Sequence, residues 1–205
     1  MEIACLDLEG VLIPEIWIAF AEETGIVELR ATTRDIPDYD VLMQQRLAIL
    51  DKHGLGLNEI QQVIARLTPL DGAVEFVDWL RERFQVIILS DTFYEFSQPL
   101  MRQLGFPTLL CHKLDTDERG RVINYRLRQV NPKRQAVLAL KTLYYRIIAA
   151  GDSYNDTTML AEADAGILFK APDNVIAEFP QFPAVHTYDD LKQAFISASN
   201  RELSL

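Results

Sequence analysis

The sequence predicts an α/β protein with a doubly wound parallel sheet and a small helical segment inserted after the first strand. Short apolar runs alternate with segments of helical periodicity over most of the chain, a pattern typical of parallel strands joined by right-handed crossovers. Residues 14–69, in contrast, have helical periodicity without an intervening strand. We therefore expect an α/β core of residues 1–13 and 70–205 and an inserted helical domain of residues 14–69.

The first apolar run, residues 2–8, predicts a buried strand that ends in two carboxylates, Asp7 and Glu9, with Gly10 directly after them. Open α/β sheets bind their ligands at the carboxyl ends of the strands. Residues i and i+2 of a strand point to the same face, so the two acids would share one pocket until the chain turns. Crowded acids repel unless a cation or a shared proton relieves them. Taken alone, the stretch is equally consistent with a strand that ends in a solvated acidic turn.

Three helices are predicted in the inserted domain. The first starts at Pro14 and stops at Gly25, the second covers residues 39–52, and the third covers residues 57–67. The polar stretch before the second helix contains Pro37, which breaks any helix. An insertion on the catalytic face of a sheet commonly serves as a lid. The predicted apolar positions of the second helix are Val41, Leu42, Leu47 and Leu50.

From residue 70 onward, strands and helices alternate, and a hairpin is predicted within residues 114–128. Buried strands are predicted at residues 85–89, 108–111, 146–150 and 165–169. Helices are predicted to begin near residues 73, 95 and 132, after Pro172, and at residue 189. A further helix is predicted to follow residues 151–156 and to end near residue 163.

The composition narrows the possible partners. The 205 residues carry 20 basic and 30 acidic side chains, a formal charge of −10, which disfavours nucleic acid and anionic membrane surfaces as partners. Cys5 and Cys111 each lie in an apolar run, and the sequence has no C-x-x-C pair, so a disulfide framework or a zinc site is not expected. There is no signal-peptide pattern and no apolar run of membrane-spanning length, so we expect a cytoplasmic protein.

Polar clusters follow three of the predicted strands. In a parallel sheet these strand ends converge on one edge, although they are far apart in sequence. Lys133 and Arg134 open a helix that should point toward the same edge, and cations there oppose the helix dipole, which favours a role in binding an anion. The clusters are Asp7 with Glu9, Ser90 with Asp91 and Thr92, and Asp152 with Asn155 and Asp156.

Together these side chains make a coherent chemical set. It contains a carboxylate nucleophile, oxygen ligands for a hard cation, and a hydroxyl and an ammonium group suited to phosphate oxygens. Mg²⁺ fits such ligands better than zinc does. Each cluster alone also has a structural interpretation: residues 90–92 would cap the next helix, and residues 151–156 would be a capped polar turn.

With these motifs in this order, the sequence resembles the haloacid dehalogenase superfamily of phosphatases along essentially its whole length. Four stretches carry the resemblance, and the inserted helical domain is similar to that superfamily's cap. The sequence is most similar to phosphoserine phosphatases, and its first and last motifs resemble the branch that also has homoserine phosphotransferase activity. The four stretches are Asp7 to Gly10, the strand-ending Ser90, Lys133, and Gly151 to Asp156.

The resemblance implies a role for each motif residue. Asp7 would attack phosphorus and Glu9 would act as general acid and base. Mg²⁺ would be bound by the Asp7 and Asp152 side chains and the Glu9 backbone carbonyl, with Asp156 in support. The phosphoryl group would be contacted by Ser90, Lys133 and Asn155, with Asp91 and Thr92 beside them.

Two residues of the inserted domain also resemble the family. Glu15 is similar to the acid that recognises the substrate ammonium, and Arg46 is similar to the arginine that binds the substrate carboxylate. Arg46 lies between Met43 and Leu47 on a largely apolar helix, which also fits a bidentate carboxylate ligand. A solvated surface arginine is the alternative. The implied partners are small molecules, phosphoserine and homoserine or similar compounds, and we expect a monomer or a homodimer.

Two departures from the family pattern bear on the efficiency and the acceptor choice that the resemblance implies, although neither removes a required function. The usual second aspartate of the first motif is Glu9, and the usual Ser-Gly-Gly is Ser90-Asp91-Thr92. Two other classes of function remain open. A signalling receiver domain also has an aspartate at a strand end, but it is much shorter and usually carries an adjacent acidic pair. A catalytically silent phosphate-binding module would not need the nucleophile and the lysine that this chain retains.

Overall fold

The computed structural model describes residues 1–32, 35–36 and 38–203. Within these residues one sheet has the strand order β4-β3-β2-β1-β5-β6-β7, and each neighbouring pair is parallel apart from the antiparallel pair of β3 and β4. The strands are β1 (Glu2–Leu6), β2 (Gln85–Phe93), β3 (Thr108–Thr116), β4 (Val122–Arg126), β5 (Arg146–Gly151), β6 (Ala165–Phe169) and β7 (Ala184–Val185).

The α-helices cover both faces of the sheet and the segment between β1 and β2. Across the described part of the chain, none of them is long and apolar enough to cross a membrane. They are α1 (Ile16–Thr24), α2 (Tyr39–His53), α3 (Leu57–Ile64), α4 (Ala73–Arg81), α5 (Tyr94–Gln103), α6 (Pro132–Thr142), α7 (Thr157–Glu162), α8 (Asp173–Glu178) and α9 (Tyr188–Ala198).

Strand β1 lies at the centre of the sheet and is buried along its whole length. Its side chains alternate between the faces: Ile3 and Cys5 pack with α6, α7 and α8, and Ala4 and Leu6 pack with α4 and α9. The chain winds outward from β1 to β3 and then crosses to β5 on the other side, so the strand order reverses between β1 and β5. Open α/β sheets place their ligand crevice at such a reversal. The doubly wound parallel sheet predicted from the sequence is therefore confirmed.

The inserted helices share an apolar cluster with the rest of the molecule. Trp17 of α1 packs edge-to-face on Phe96 of α5, with ring centroids 5.6 Å apart. Gln61 of α3 donates a hydrogen bond to the Glu95 carbonyl at 2.8 Å, and the Leu57 amide donates to Gly120 in the β3–β4 turn at 2.9 Å. The division into a core and an inserted domain, with boundaries after residues 13 and 69, stays a prediction.

Three details differ from the sequence prediction. The apolar stripe of α2 is correct at Leu42 and Leu50, which are buried, and wrong at Val41, which is 55% exposed. Met43 and Arg46 are buried as well, because Arg46 packs on Trp17 and turns that face of the helix inward. Strands β2 and β3 run several residues beyond their predicted ends, and the two-residue β7 had too few residues to give a periodic signal. The prediction at Pro37 lies outside the described residues.

Candidate active site

Asp7 directly follows β1 and is 4% exposed. Its backbone amide donates to the Ala150 carbonyl at 3.0 Å, which extends the pairing with β5 by one residue. Its Oδ1 accepts a hydrogen bond from the Leu8 amide at 2.7 Å and lies 2.9 Å from Lys133 Nζ. The nucleophile candidate is thus fixed by backbone and side-chain donors at the strand reversal.

Lys133, in the first turn of α6, forms the hub of the site. Its Nζ lies 2.7 Å from Asp156 Oδ1 and 3.5 Å from Asp91 Oδ2, in addition to the contact with Asp7. Burial alone would lower the pKa of Lys133, but these three carboxylates raise it well above its ordinary value. The neighbouring Arg134 was expected at the same edge, which is wrong: it pairs with Glu162 of α7 at 2.9 Å, because one residue of a helix turns the side chain by about 100°.

The loop after β5 brings Asp152 and Asp156 to Asp7. Asp156 is fully buried, and its Oδ2 accepts from the amides of Asp152 and Ser153 at 2.9 and 3.1 Å. The loop after β1 approaches Asp152 so closely that a Cβ on Gly10 would lie 2.4 Å from Asp152 Oδ2. Gly10 also has a φ of +77°, so both space and conformation require glycine there.

The carboxylates of Asp7, Asp152 and Asp156 fit a magnesium ion. One ligand oxygen from each lies within 4.8 Å of the other two, and all three residues are buried. Burial and the repulsion from Asp156 raise the pKa of Asp7 well above its ordinary value, and the same two causes raise the pKa of Asp152 to about 7. A hard divalent cation relieves this repulsion, and an all-oxygen donor set is what Mg²⁺ takes. Since both oxygens of Asp156 already accept from Lys133 and from backbone amides, Asp7 and Asp152 are the better direct ligands.

Glu9 has different neighbours from Asp7, although the two were expected in one pocket. The strand ends at Leu6, so the two-residue alternation no longer applies beyond it. The Glu9 Oε2 accepts a hydrogen bond from the Ile16 amide at the start of α1, at 2.9 Å. Burial, with the nearby Glu15 carboxylate, raises the pKa of Glu9 to about 8, while the Ile16 amide and the Thr92 hydroxyl act in the opposite direction.

Arg46 is buried inside the inserted segment and points toward the acids of the site. Its guanidinium lies over the Trp17 ring, 4.5 Å from the centroid, and its Nη2 donates to the Ala31 carbonyl at 2.9 Å. Its Nε is buried and has no hydrogen-bond partner among the described residues. Burial lowers the pKa of Arg46 to about 10, against the attraction of Tyr39, Glu9 and Glu15, so it is a cation at neutral pH. A solvated surface arginine is excluded.

The polar end of β2 supplies the remaining predicted residues. Ser90 and Thr92 are buried, and the Thr92 amide donates to Ser90 Oγ at 3.2 Å. Asp91 is partly exposed, and Asn155 Nδ2 donates to its Oδ2 at 2.8 Å. The alternative that these residues cap α5 is not what the structure shows, because β2 runs to Phe93 and no side chain caps the helix.

Sequence reasoning missed His112, which it left without a role. This residue of β3 is 2% exposed, and its Nε2 lies 3.4 Å from Asp91 Oδ1. The sequence signal was its position directly after the apolar run 108–111, in the predicted strand that follows the strand of Asp91 along the chain.

Comparison with known proteins places this site in a family. A model of haloacid dehalogenase-like hydrolases matches residues 1–164. The chain belongs to the haloacid dehalogenase-like hydrolases. The resemblance found in its sequence motifs is therefore confirmed, and the chain is a hydrolase.

Two relatives of this hydrolase are very similar along the whole chain. A phosphoserine phosphatase of Pseudomonas syringae pv. tomato is 82% identical over all 205 residues, which cover 86% of that protein. Phosphoserine phosphatase ThrH of Pseudomonas aeruginosa is 79% identical, with both chains fully covered. A structure described as a phospho-aspartyl intermediate analogue of phosphoserine phosphatase shares the fold, with a TM-score of 0.77, 18% identity, and coverage of 94% of this chain and 97% of the other.

Proposed function

We propose that this hydrolase is a magnesium-dependent phosphoserine phosphatase that works through a phosphorylated Asp7. The observation that carries the proposal is the buried Asp7 carboxylate, held 2.9 Å from Lys133 beside two further buried carboxylates. A carboxylate in this setting is a suitable nucleophile toward a phosphate ester. The two relatives at 82% and 79% identity are phosphoserine phosphatases, which supports phosphoserine as the substrate.

In the first half-reaction, Asp7 attacks phosphorus and the serine oxygen leaves. Lys133, Ser90 and Asn155 bind phosphoryl oxygens. Glu9 protonates the leaving oxygen. Mg²⁺ bound at Asp7 and Asp152 would neutralise phosphoryl charge as a Lewis acid. The raised pKa of Glu9, about 8, supports the acid role, because the carboxyl is mostly protonated at neutral pH.

In the second half-reaction, water attacks the phosphorylated Asp7. Glu9, now ionised, takes the proton of the attacking water, and phosphate leaves as Asp7 is regenerated. The same side chain therefore serves both steps in opposite protonation states. Proton transfer of this kind contributes about 10²–10⁴-fold to the rate and depends on hydrogen-bond reach.

The inserted segment would recognise the amino-acid part of the substrate. Arg46 presents a buried cation with an unpartnered Nε, which suits a carboxylate. Glu15 adjoins Glu9 closely enough to raise its pKa, and it would bind the substrate ammonium. The segment would thus act as the cap that selects the substrate.

We further propose that the phosphoryl group is also transferred to homoserine, which has the carboxylate and ammonium of serine and one more methylene. An alcohol held by Arg46 and Glu15 competes with water through proximity. Glu9 is one methylene longer than the usual aspartate, and this should affect the two acceptors unequally. Incubation of Glu9→Asp with phosphoserine and homoserine should raise the ratio of free phosphate to phosphohomoserine. An unchanged ratio would place acceptor choice elsewhere, in the cap or at Asp91 and Thr92.

The proposed function is tested by phosphate release from a panel of phosphorylated metabolites with Mg²⁺ or with excess chelator. Phosphoserine should be turned over with Mg²⁺ only, and Asp7→Asn should abolish turnover without unfolding the protein. Asp78→Asn, at an aspartate of α4 whose side chain is 65% exposed, is the matched control and should retain activity. A silent phosphate-binding module would release phosphate from none of the esters. Selective turnover of another metabolite would reject phosphoserine as the substrate but would leave the phosphatase activity standing. The cytoplasmic location and the state of monomer or homodimer stay predictions.

A further inference from the structure

We propose that Asp91 and His112 form a positioning pair that holds Asn155 and Lys133 in place to receive the phosphoryl group. The inference rests on the proposed function, which assigns Asn155 and Lys133 to phosphate binding. It gives Asp91, which the sequence placed beside the phosphoryl group, the role of fixing the residues that contact that group.

Asp91 lies at the junction of three parts of the site. Its Oδ2 accepts from Asn155 Nδ2 at 2.8 Å and lies 3.5 Å from Lys133 Nζ, and its Oδ1 faces His112. Its backbone carbonyl accepts a hydrogen bond from the Tyr39 hydroxyl of the inserted segment at 3.2 Å. Burial would raise the pKa of Asp91, but Lys133 and the donors on His112 and Asn155 outweigh it and hold the pKa well below its usual range. The side chain is therefore an anion, and direct contact with phosphate oxygens would be repulsive.

His112 fixes the direction of the Asp91 carboxylate. Its Nδ1 accepts a hydrogen bond from the Arg128 amide at 3.1 Å, so in the neutral ring the proton lies on Nε2, which faces Asp91 Oδ1 at 3.4 Å. The ring is held by an edge contact with Tyr39 and a tilted contact with Phe93, at centroid distances of 6.4 and 6.2 Å. A buried ring fixed on both sides leaves the carboxylate little rotational freedom.

Asp91 in turn sets the orientation of the Asn155 amide. With one N–H directed at Asp91 and the amide oxygen accepting from Ser153 Oγ, the second N–H of Asn155 has a fixed direction. Asn155 is otherwise exposed, so without Asp91 its amide would be held by the Ser153 contact alone. Lys133 contacts Asp7, Asp91 and Asp156. Without Asp91 it would pair with Asp7 and Asp156 only, so Asp91 also holds the ammonium group in position.

The sign of one substitution separates positioning from simple electrostatics. Asp91→Asn removes a negative charge beside the phosphate site, so electrostatics alone would tighten the binding of inorganic phosphate. Positioning gives the opposite result, because a neutral amide no longer holds Lys133 and accepts from Asn155 less strongly. We expect the phosphate Kd to rise about tenfold, the lower end of the effect of removing an outer hydrogen-bond partner from a binding site.

The experiment is calorimetric titration of the full chain with inorganic phosphate in the presence of Mg²⁺, which needs no turnover. His112→Phe keeps the ring contacts but removes the donor to Asp91, together with the acceptor of the Arg128 amide, and should also raise the phosphate Kd about tenfold. His112→Gln, which can offer an N–H near the Nε2 position, should restore binding to within about threefold of wild type, less than 1 kcal/mol. Serine, titrated in parallel, should bind all variants equally. Glu2→Gln, at the opposite end of β1, is the stability control: its melting temperature should fall with no change in phosphate Kd.

The outcomes are distinguishable. Weaker phosphate binding in Asp91→Asn and His112→Phe, with restored binding in His112→Gln, supports the positioning pair. Tighter or unchanged phosphate binding in Asp91→Asn overturns it, as does an equal loss of serine and phosphate affinity. If His112→Phe does not fold, the partly exposed Asp91→Asn still decides. Failure of the wild type to hydrolyse phosphoserine would reject the proposed function, whereas its phosphate titration would still test the pair.

Discussion

Replacement of Arg46 by alanine tests the substrate assignment most sharply. The buried guanidinium has an unpartnered Nε and keeps its charge at neutral pH, so we expect it to bind a carboxylate. Loss of one charge-assisted hydrogen bond costs about 1.5–3 kcal/mol, or roughly ten- to more than a hundredfold in affinity. Phosphoethanolamine keeps the phosphate and the ammonium group of phosphoserine but lacks the carboxylate, so it supplies the matched comparison.

The assay is steady-state hydrolysis of both esters by wild type and variant. Arg46→Ala should raise the KM for phosphoserine by that factor and leave the KM for phosphoethanolamine within about threefold, less than 1 kcal/mol. Because the guanidinium also stacks on Trp17, some loss of stability is expected from the cation–π contact, about 0.5–2 kcal/mol. Arg46→Lys keeps the cation without the planar guanidinium, and we expect its KM for phosphoserine to lie between those of wild type and Arg46→Ala. Equal losses on both esters would refute the reasoning and show that Arg46 only supports the fold.

Three further predictions concern Glu9, Glu2 and Gly10. Because the pKa of Glu9 is raised to about 8, its acid form decreases as pH rises through that value, and kcat/KM for phosphoserine should fall on the alkaline side. If the same alkaline fall in kcat/KM persists in Glu9→Gln, it belongs to another group. Burial would raise the pKa of Glu2, but hydrogen bonds from residues 199–201 lower it. The stabilisation of the fold by ionised Glu2 is therefore present above the unfolded-state pKa of about 4.5 and is lost as pH falls through the lower folded-state pKa. Thermal unfolding of Glu2→Gln should therefore differ from wild type at pH 7 and converge with it in acid; a constant difference contradicts this. Gly10→Ala places a Cβ against Asp152, so turnover should fall at least tenfold while a Gly25→Ala control, in open space, keeps its activity.

The strand-end convergence could be predicted from the sequence because it follows from topology. Once β1 and β5 are parallel neighbours, Asp7 and Asp152 must lie at one edge, whatever the details of the intervening elements. Lys133 was placed correctly at the same edge because Pro132 marks the start of its helix. The phase of that helix was not available from the sequence, and so Arg134 was expected to bind an anion as Lys133 was.

Contacts between distant side chains could not be predicted. The pairing of His112 with Asp91 depends on β2 continuing past a register shift after Leu89, which brings Phe93 opposite His112. No local pattern signals such an irregularity. The inward turn of Arg46 depends likewise on Trp17, a residue of another helix. Local periodicity assigns faces to helices, but tertiary packing decides which face is inward.

The central claim is that Asp7 carries the phosphoryl group during turnover, and rapid quenching followed by peptide mass spectrometry tests it directly. Wild type mixed with phosphoserine and Mg²⁺ and quenched in acid should contain a peptide spanning Asp7 that is heavier by one phosphoryl group. The modification should precede phosphate release and be absent from Asp7→Asn. Phosphate release at an undiminished rate from Asp7→Asn, or a phosphoryl group found on another residue of the wild type, would contradict the account.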